Sequence, residues 1–354
     1  MNTLTKNQLA IIIFFIPLVF KMSMLPALLY KESGTDSYFA IGLITLIEFL
    51  QMWLVLFAVN KGGISGIKEL YGKKAAILLS VPFLLVMGVK CLLFITEIYV
   101  YICDYLFYNV SSIPIIISLL IVLFYLAIKG AKTIGRIFEL SIWLIPIIIL
   151  FGVLFGKVKL YPQYLTPLFE NGFNGVIKGI DRYIIYAFDF SPLLFFSVEK
   201  KKNVRVAISS GLCVVAVITC YVFLIASYGK ATFLITDAFA HLASFNVVIS
   251  EIGSLDWPSA ILWITTASSN VALKMTAMGD ILAEMKIKKN VGVFSLTVIF
   301  GLIIIYLFKG FDNVLSFAVG PIKYVVIGIE IVVPIILLIL YAIKRKEVKL
   351  EAAI

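Results

Sequence analysis

Phe20-Lys21-Met22-Ser23-Met24-Leu25-Pro26 sets a lysine and a proline in the middle of an apolar run that extends from residue 8 to residue 30. About 20 apolar residues in a helix, at about 1.5 Å each, cross a bilayer core of about 30 Å. The run therefore reads as a membrane helix interrupted near mid-depth. Proline removes a backbone donor and frees carbonyls, and such a break survives in a bilayer only against protein or a cavity. Phe188-Asp189-Phe190-Ser191-Pro192, inside the run 173–197, repeats the device.

Outward from these two breaks, the rest of the chain reads the same way. Its 354 residues are 62% hydrophobic, with a mean hydropathy of +1.08. A single aqueous core cannot absorb that much apolar surface. The expected class is all-α: a polytopic membrane protein with ten transmembrane helices. They are placed at 8–30, 38–58, 75–107, 114–128, 133–155, 173–197, 204–228, 255–282, 291–308 and 314–343. The first run follows Lys6 without a small-residue cleavage site, so it reads as a retained helix. Breaks in the first and sixth helices predict a five-plus-five inverted repeat, with 1–156 and 157–354 as its halves within one membrane domain, and a binding site between the breaks. An ordinary pair of proline kinks is the alternative.

The net charge of +10 arises from short basic clusters between apolar runs, such as Lys73-Lys74, Lys200-Lys201-Lys202 and Lys344-Arg345-Lys346. With ten spans these clusters fall on one side, which predicts a cytoplasmic face holding both termini and gives no sign of nucleic-acid binding. The long outer connection, 229–254, reads as a cap of short helices over the outer mouth. The cysteines Cys91, Cys103, Cys213 and Cys220 lie in apolar runs without metal-ligand spacing, and the single histidine, His241, stands apart from them. No metal, cofactor or enzyme activity is expected, because no catalytic cluster of His, Cys or carboxylates can be assembled.

Charges inside the spans are costly and must pair or face water. The basic ones are Lys21, Lys90, Lys178, Arg182, Lys274 and Lys323; the acidic ones include Glu48, Glu97, Glu139, Asp181, Asp189 and Glu330. Only Lys21 and Asp189 belong to the breaks, so a Lys21–Asp189 contact or shared cavity is expected. Lys21, Met22, Ser23 and Met24 from one break, and Phe188, Asp189, Phe190 and Ser191 from the other, form the candidate ligand site. Thr265, Thr266, Ser268 and Ser269 near the middle of the eighth helix could contact a cation such as Na⁺, or allow close helix packing.

The order and spacing of certain elements resemble the spore-germination permease family, the B subunits of nutrient germinant receptors, within the amino acid–polyamine–organocation superfamily. Its clearest stretch runs through Gly130, Arg136, Pro146, Phe151-Gly152, Leu165-Thr166-Pro167-Leu168-Phe169 and Gly172. It continues to Glu199-Lys200-Lys201-Lys202 and Gly211, with Tyr71-Gly72-Lys73-Lys74 and the Pro26 region fitting the same plan. Lys21-Met22-Ser23 stands where family members have a Gly-rich break. The resemblance implies a nutrient sensor of the inner spore membrane (or cytoplasmic membrane) working with an A-type subunit and a lipoprotein C-type subunit. Its ligand would be a small nutrient, an amino acid by the fit of a carboxylate to a half-helix N-terminus. A secondary transporter of amino acids or amines, coupled to H⁺ or Na⁺, remains the alternative, since one fold serves both.

Overall fold

A computed structural model describes residues 3–107, 111–146, 159–169, 172–199, 204–235, 248–249, 253–254, 257–308 and 310–351. Outside these lie residues 147–155 of the expected fifth helix with Phe151-Gly152, the boundary at 156/157, the Lys200-Lys201-Lys202 loop, and most of the outer cap with His241. The described chain is nearly all helix. It opens α1 (Lys6–Lys21), α2 (Leu25–Ser33), α3 (Ser37–Lys61), α4 (Gly63–Tyr101), α5 (Ser112–Lys129) and α6 (Ala131–Ser141). Then come α7 (Gly172–Tyr183), α8 (Val204–Tyr228), α9 (Trp257–Glu284), α10 (Lys289–Leu302), α11 (Phe311–Ala318) and α12 (Ile322–Glu351).

Six stretches of helix among the described residues are long and apolar enough to cross a membrane: Leu25–Lys61, Gly63–Asp104, Ser112–Lys129, Val204–Leu234, Lys289–Phe308 and Ile322–Lys344. They expose large apolar side chains, among them Leu50 and Phe57 on α3, Ile121 on α5 and Leu212 on α8. In water such faces would drive aggregation; in lipid they meet a solvent of their own kind.

Several boundaries differ from the expected ones, each for a local reason. The first run divides into α1 and α2, separated by Met22, Ser23 and Met24, with Pro26 in the first turn of α2 where a missing donor costs nothing. Residues 63–101 form α4 with a kink at Gly72, whose φ of 84° suits glycine. The run 314–343 is two helices, because Gly320-Pro321 intervenes between α11 and α12. The largest departure is in 173–197. The α-helix stops at Tyr183, and two 3₁₀ turns, Ile184–Tyr186 and Ser191–Phe195, flank an irregular stretch. The chain then pairs as a two-residue strand, β2 (Ser197–Val198), in parallel with β1 (Thr3–Leu4). A second small pair joins β3 (Val248–Ile249) to β4 (Gly253–Ser254).

The core gathers around α1, α4 and α9. The α1 helix packs on α8 and α6, and α9 packs on α4, α5 and α6. Aromatic side chains fill the centre: Phe20 stacks on Phe94 at 3.8 Å between ring centroids, and Trp263 lies 4.3 Å from Tyr101.

Candidate functional site

Both breaks lie in the buried interior, and α3, α4, α8, α9 and α12 supply the groups that hold them. The end of a helix leaves carbonyls without intrahelical partners. At the end of α1 those carbonyls are taken by side chains of other helices. The Tyr221 hydroxyl donates to the Lys21 carbonyl at 2.9 Å and Trp263 Nε1 to Val19 at 3.1 Å, while Asn270 Nδ2 reaches further back, to the Ile16 carbonyl at 3.1 Å. On the far side of the break, the Met24 N–H donates to Glu97 Oε1 at 3.2 Å, so a carboxylate of α4 faces the start of α2.

The second break is held differently. Phe188 takes φ 66°, a left-handed conformation that costs a bulky L-residue roughly 1–2 kcal/mol. Its neighbours are pinned on both sides. Lys90 Nζ donates to the Ala187 carbonyl at 2.5 Å and to Asp189 Oδ1 at 2.9 Å. Lys274 Nζ lies 3.4 Å from the same Asp189 oxygen and donates to Asn270 Oδ1 at 2.5 Å. The Ser191 hydroxyl donates to Glu330 Oε1 at 2.8 Å, and Gln51 Nε2 donates to Glu330 Oε2 at 3.0 Å.

One side chain joins the two breaks. Glu48 of α3 forms a fully buried ion pair with Lys21 through one carboxylate oxygen. Its other oxygen accepts from the backbone N–H of Asp189 at 3.4 Å. The expected direct Lys21–Asp189 pair is therefore corrected: Lys21 pairs with Glu48, and Asp189 with Lys90 and Lys274. The two groups still act on one another electrostatically. Buried charges survive when paired and hydrogen-bonded, and these are.

All eight side chains named from the breaks are buried: Lys21, Met22, Ser23, Met24, Phe188, Asp189, Phe190 and Ser191. Glu48, Lys90, Glu97, Lys274, Gln51 and Glu330 join them. The sequence marked all of these but Gln51 as intramembrane charges, without assigning them to a site. Lys90 and Glu97 stand seven residues apart, two turns of α4, and so share one face. Lys323, also marked, lies elsewhere and pairs with Asp181 at 2.9 Å. Arg182 pairs with Glu32.

The hydroxyl row on α9 divides. Thr266 bonds back to the Leu262 carbonyl at 2.7 Å. Ser269 is buried without a hydrogen-bond partner among the described residues. Ser268 lines a largely apolar cavity of about 370 Å³ between α5, α9 and the π-helical turn after α4, and Thr265 is partly exposed. Among the described residues, no three His, Cys, Asp or Glu side chains are grouped to hold a metal ion.

Against known proteins, the family described as "spore germination protein", the spore permeases, matches residues 3–313. The chain belongs to that family. This spore permease is similar in fold to MhsT, solved in complex with L-phenylalanine, with a TM-score of 0.53, 13% identity, and 95% of this chain and 98% of that chain covered. It also matches Mhp1, a nucleobase-cation-symport-1 family transporter solved closed with bromovinylhydantoin bound, with a TM-score of 0.48, 16% identity, and 92% and 78% covered. No curated protein matches the sequence. The spore permease is thus an integral membrane, permease-like protein of transporter fold.

Proposed function

We propose that this spore permease is the nutrient-binding subunit of a germinant receptor, and that its ligand is a small amino-acid-like molecule held where the two breaks meet. The observation that carries this reading is Glu48, one buried carboxylate bonded to Lys21 at the first break and to the Asp189 backbone at the second. A ligand inserted between the breaks would have to alter one of those bonds, and any ligand that binds one arrangement better than another shifts the population of arrangements. That shift is the signal that A-type and lipoprotein C-type partner subunits would read. In this reading the chain has ten membrane helices as a five-plus-five inverted repeat, with halves 1–156 and 157–354. Both termini are cytoplasmic and the protein sits in the inner spore membrane. The positive clusters between the apolar runs support that orientation. The Thr265, Thr266, Ser268 and Ser269 row is proposed as a helix-packing surface, which the return bond of Thr266 to its own helix supports.

The test is binding and transport measured side by side. The purified protein in lipid vesicles is expected to bind an amino acid saturably, to show no uptake driven by an imposed H⁺ or Na⁺ gradient, and to co-purify with A- and C-type subunits. Gradient-driven uptake by the protein alone would establish the transporter reading instead.

A further inference from the structure

The N–H of Met24 is the first free donor ahead of α2, where a ligand's carboxylate would be received at the start of a half-helix. That place is filled: Glu97, fully buried, accepts the Met24 N–H at 3.2 Å. A second carboxylate brought there would meet a like charge in a low-dielectric interior. The groups around Glu97 suit the opposite charge. The buried Tyr186 hydroxyl has Glu97 as a hydrogen-bonding and electrostatic neighbour. Glu97 also acts electrostatically on Tyr221, whose hydroxyl spends its proton on the Lys21 carbonyl and so keeps its oxygen lone pairs for a donor.

We propose that Glu97, with the hydroxyl oxygens of Tyr186 and Tyr221, is an ammonium-recognition subsite beside the first break, so that the ligand is a primary amine whose carboxylate, if it has one, is dispensable. The inference rests on the reading of the breaks as a ligand site and names the chemistry that site selects. An alkylammonium carries three N–H donors, matching one carboxylate and two phenolic oxygens. Aromatic rings pack beside this subsite: Phe94 lies 6.1 Å from the Tyr186 ring, stacks on Phe20 and has Lys274 Nζ 4.9 Å from its centroid. Rings of this kind suit an apolar ligand body.

The experiment is calorimetric titration of the full-length protein in lipid nanodiscs with two ligand series. One is built on alanine and one on phenylalanine, each containing the amino acid, its amide, the decarboxylated amine, the N-acetyl amino acid and the 2-hydroxy acid. The amine and amide are expected to bind within about tenfold of the amino acid, while the N-acetyl and 2-hydroxy compounds fail to bind. Glu97→Gln keeps an oxygen for the Met24 N–H while removing the charge. It should weaken every amine roughly tenfold to hundredfold, the worth of a charge-assisted hydrogen bond, and Tyr186→Phe should weaken them a few-fold. Binding of the amine-blocked compounds, or amine affinities unchanged to within about twofold in Glu97→Gln, overturns the inference and leaves the ligand site standing. If Glu97→Gln does not fold, the ligand series on the unaltered protein decides alone. If no compound of either series binds, the reading of the breaks as an amino-acid-like site falls, and this inference with it.

Discussion

The first break resumes as helix after three residues, whereas the second never regains an α-helical turn before β2. Their supports differ accordingly. Around the first, the freed carbonyls are closed by neutral donors from α8 and α9, Tyr221 and Trp263, with Asn270 on the Ile16 carbonyl a turn earlier. Around the second, charges do the holding, with Lys90 and Lys274 converging on Asp189 and Lys90 also on the Ala187 carbonyl. A helix end offers carbonyls in a fixed array that side chains can cap one by one. An irregular segment offers no such array, so it is fixed by a few strong contacts. The second break should therefore depend on fewer residues, and more steeply on each.

Asp189→Asn tests that asymmetry hardest. It leaves two buried lysines without their carboxylate, and breaking a buried pair from one side costs about 3–5 kcal/mol. Thermal unfolding in detergent should show the largest loss of this set, or no monodisperse protein at all. A loss no greater than that of a first-break variant would erase the distinction between the two breaks.

Lys21→Met comes next, since it strands a single carboxylate, Glu48. Paired with Glu48→Gln in a double-mutant cycle, it should show coupling above about 1 kcal/mol, because the two side chains touch. The cycle of Lys21→Met with Asp189→Asn should show the weaker coupling, because Glu48 stands between them. The reverse order would restore a direct Lys21–Asp189 interaction. Ser191→Ala is the mildest change. It removes one hydrogen bond to Glu330 while Gln51 keeps the other, so a loss of about 1 kcal/mol is expected in the same assay. A much larger loss would make Ser191 a principal support of the second break.

The positions of both breaks were legible in the sequence, because a proline beside a charge stands out in an apolar run. The backbone around and beyond the second break was not. Hydropathy is equally high through 184–197 whether the backbone is helical, 3₁₀ or extended, so composition cannot report that α7 ends at Tyr183. The division at Gly320-Pro321 carried a turn signal that the apolar length of the run outweighed. At the site, the charged residues could be named but not matched. Lys21 and Glu48 sit on different helices, and pairing them requires the rotation of α1 against α3. That rotation comes from packing, of which a single sequence holds no record. Lys21 and Asp189 looked like partners because each lacked one on its own helix, a criterion Glu48 met equally well.

The two-residue ladder between β1 and β2 sets Thr3 against Ser197 and Leu4 against Val198, with the Glu199 N–H reaching the Leu4 carbonyl at 3.3 Å and Arg205 bonded to Asn7. During synthesis at about 5–20 residues per second, Thr3 waits roughly 10–40 seconds for its partner to leave the ribosome. Through that interval α1 is tethered only by what precedes Ser197; the seam closes when the strand carrying the second break arrives, and α8 and α9, which cap the end of α1, come later still. A change at Leu4, fully buried in that seam, would therefore act on the segment that carries Asp189.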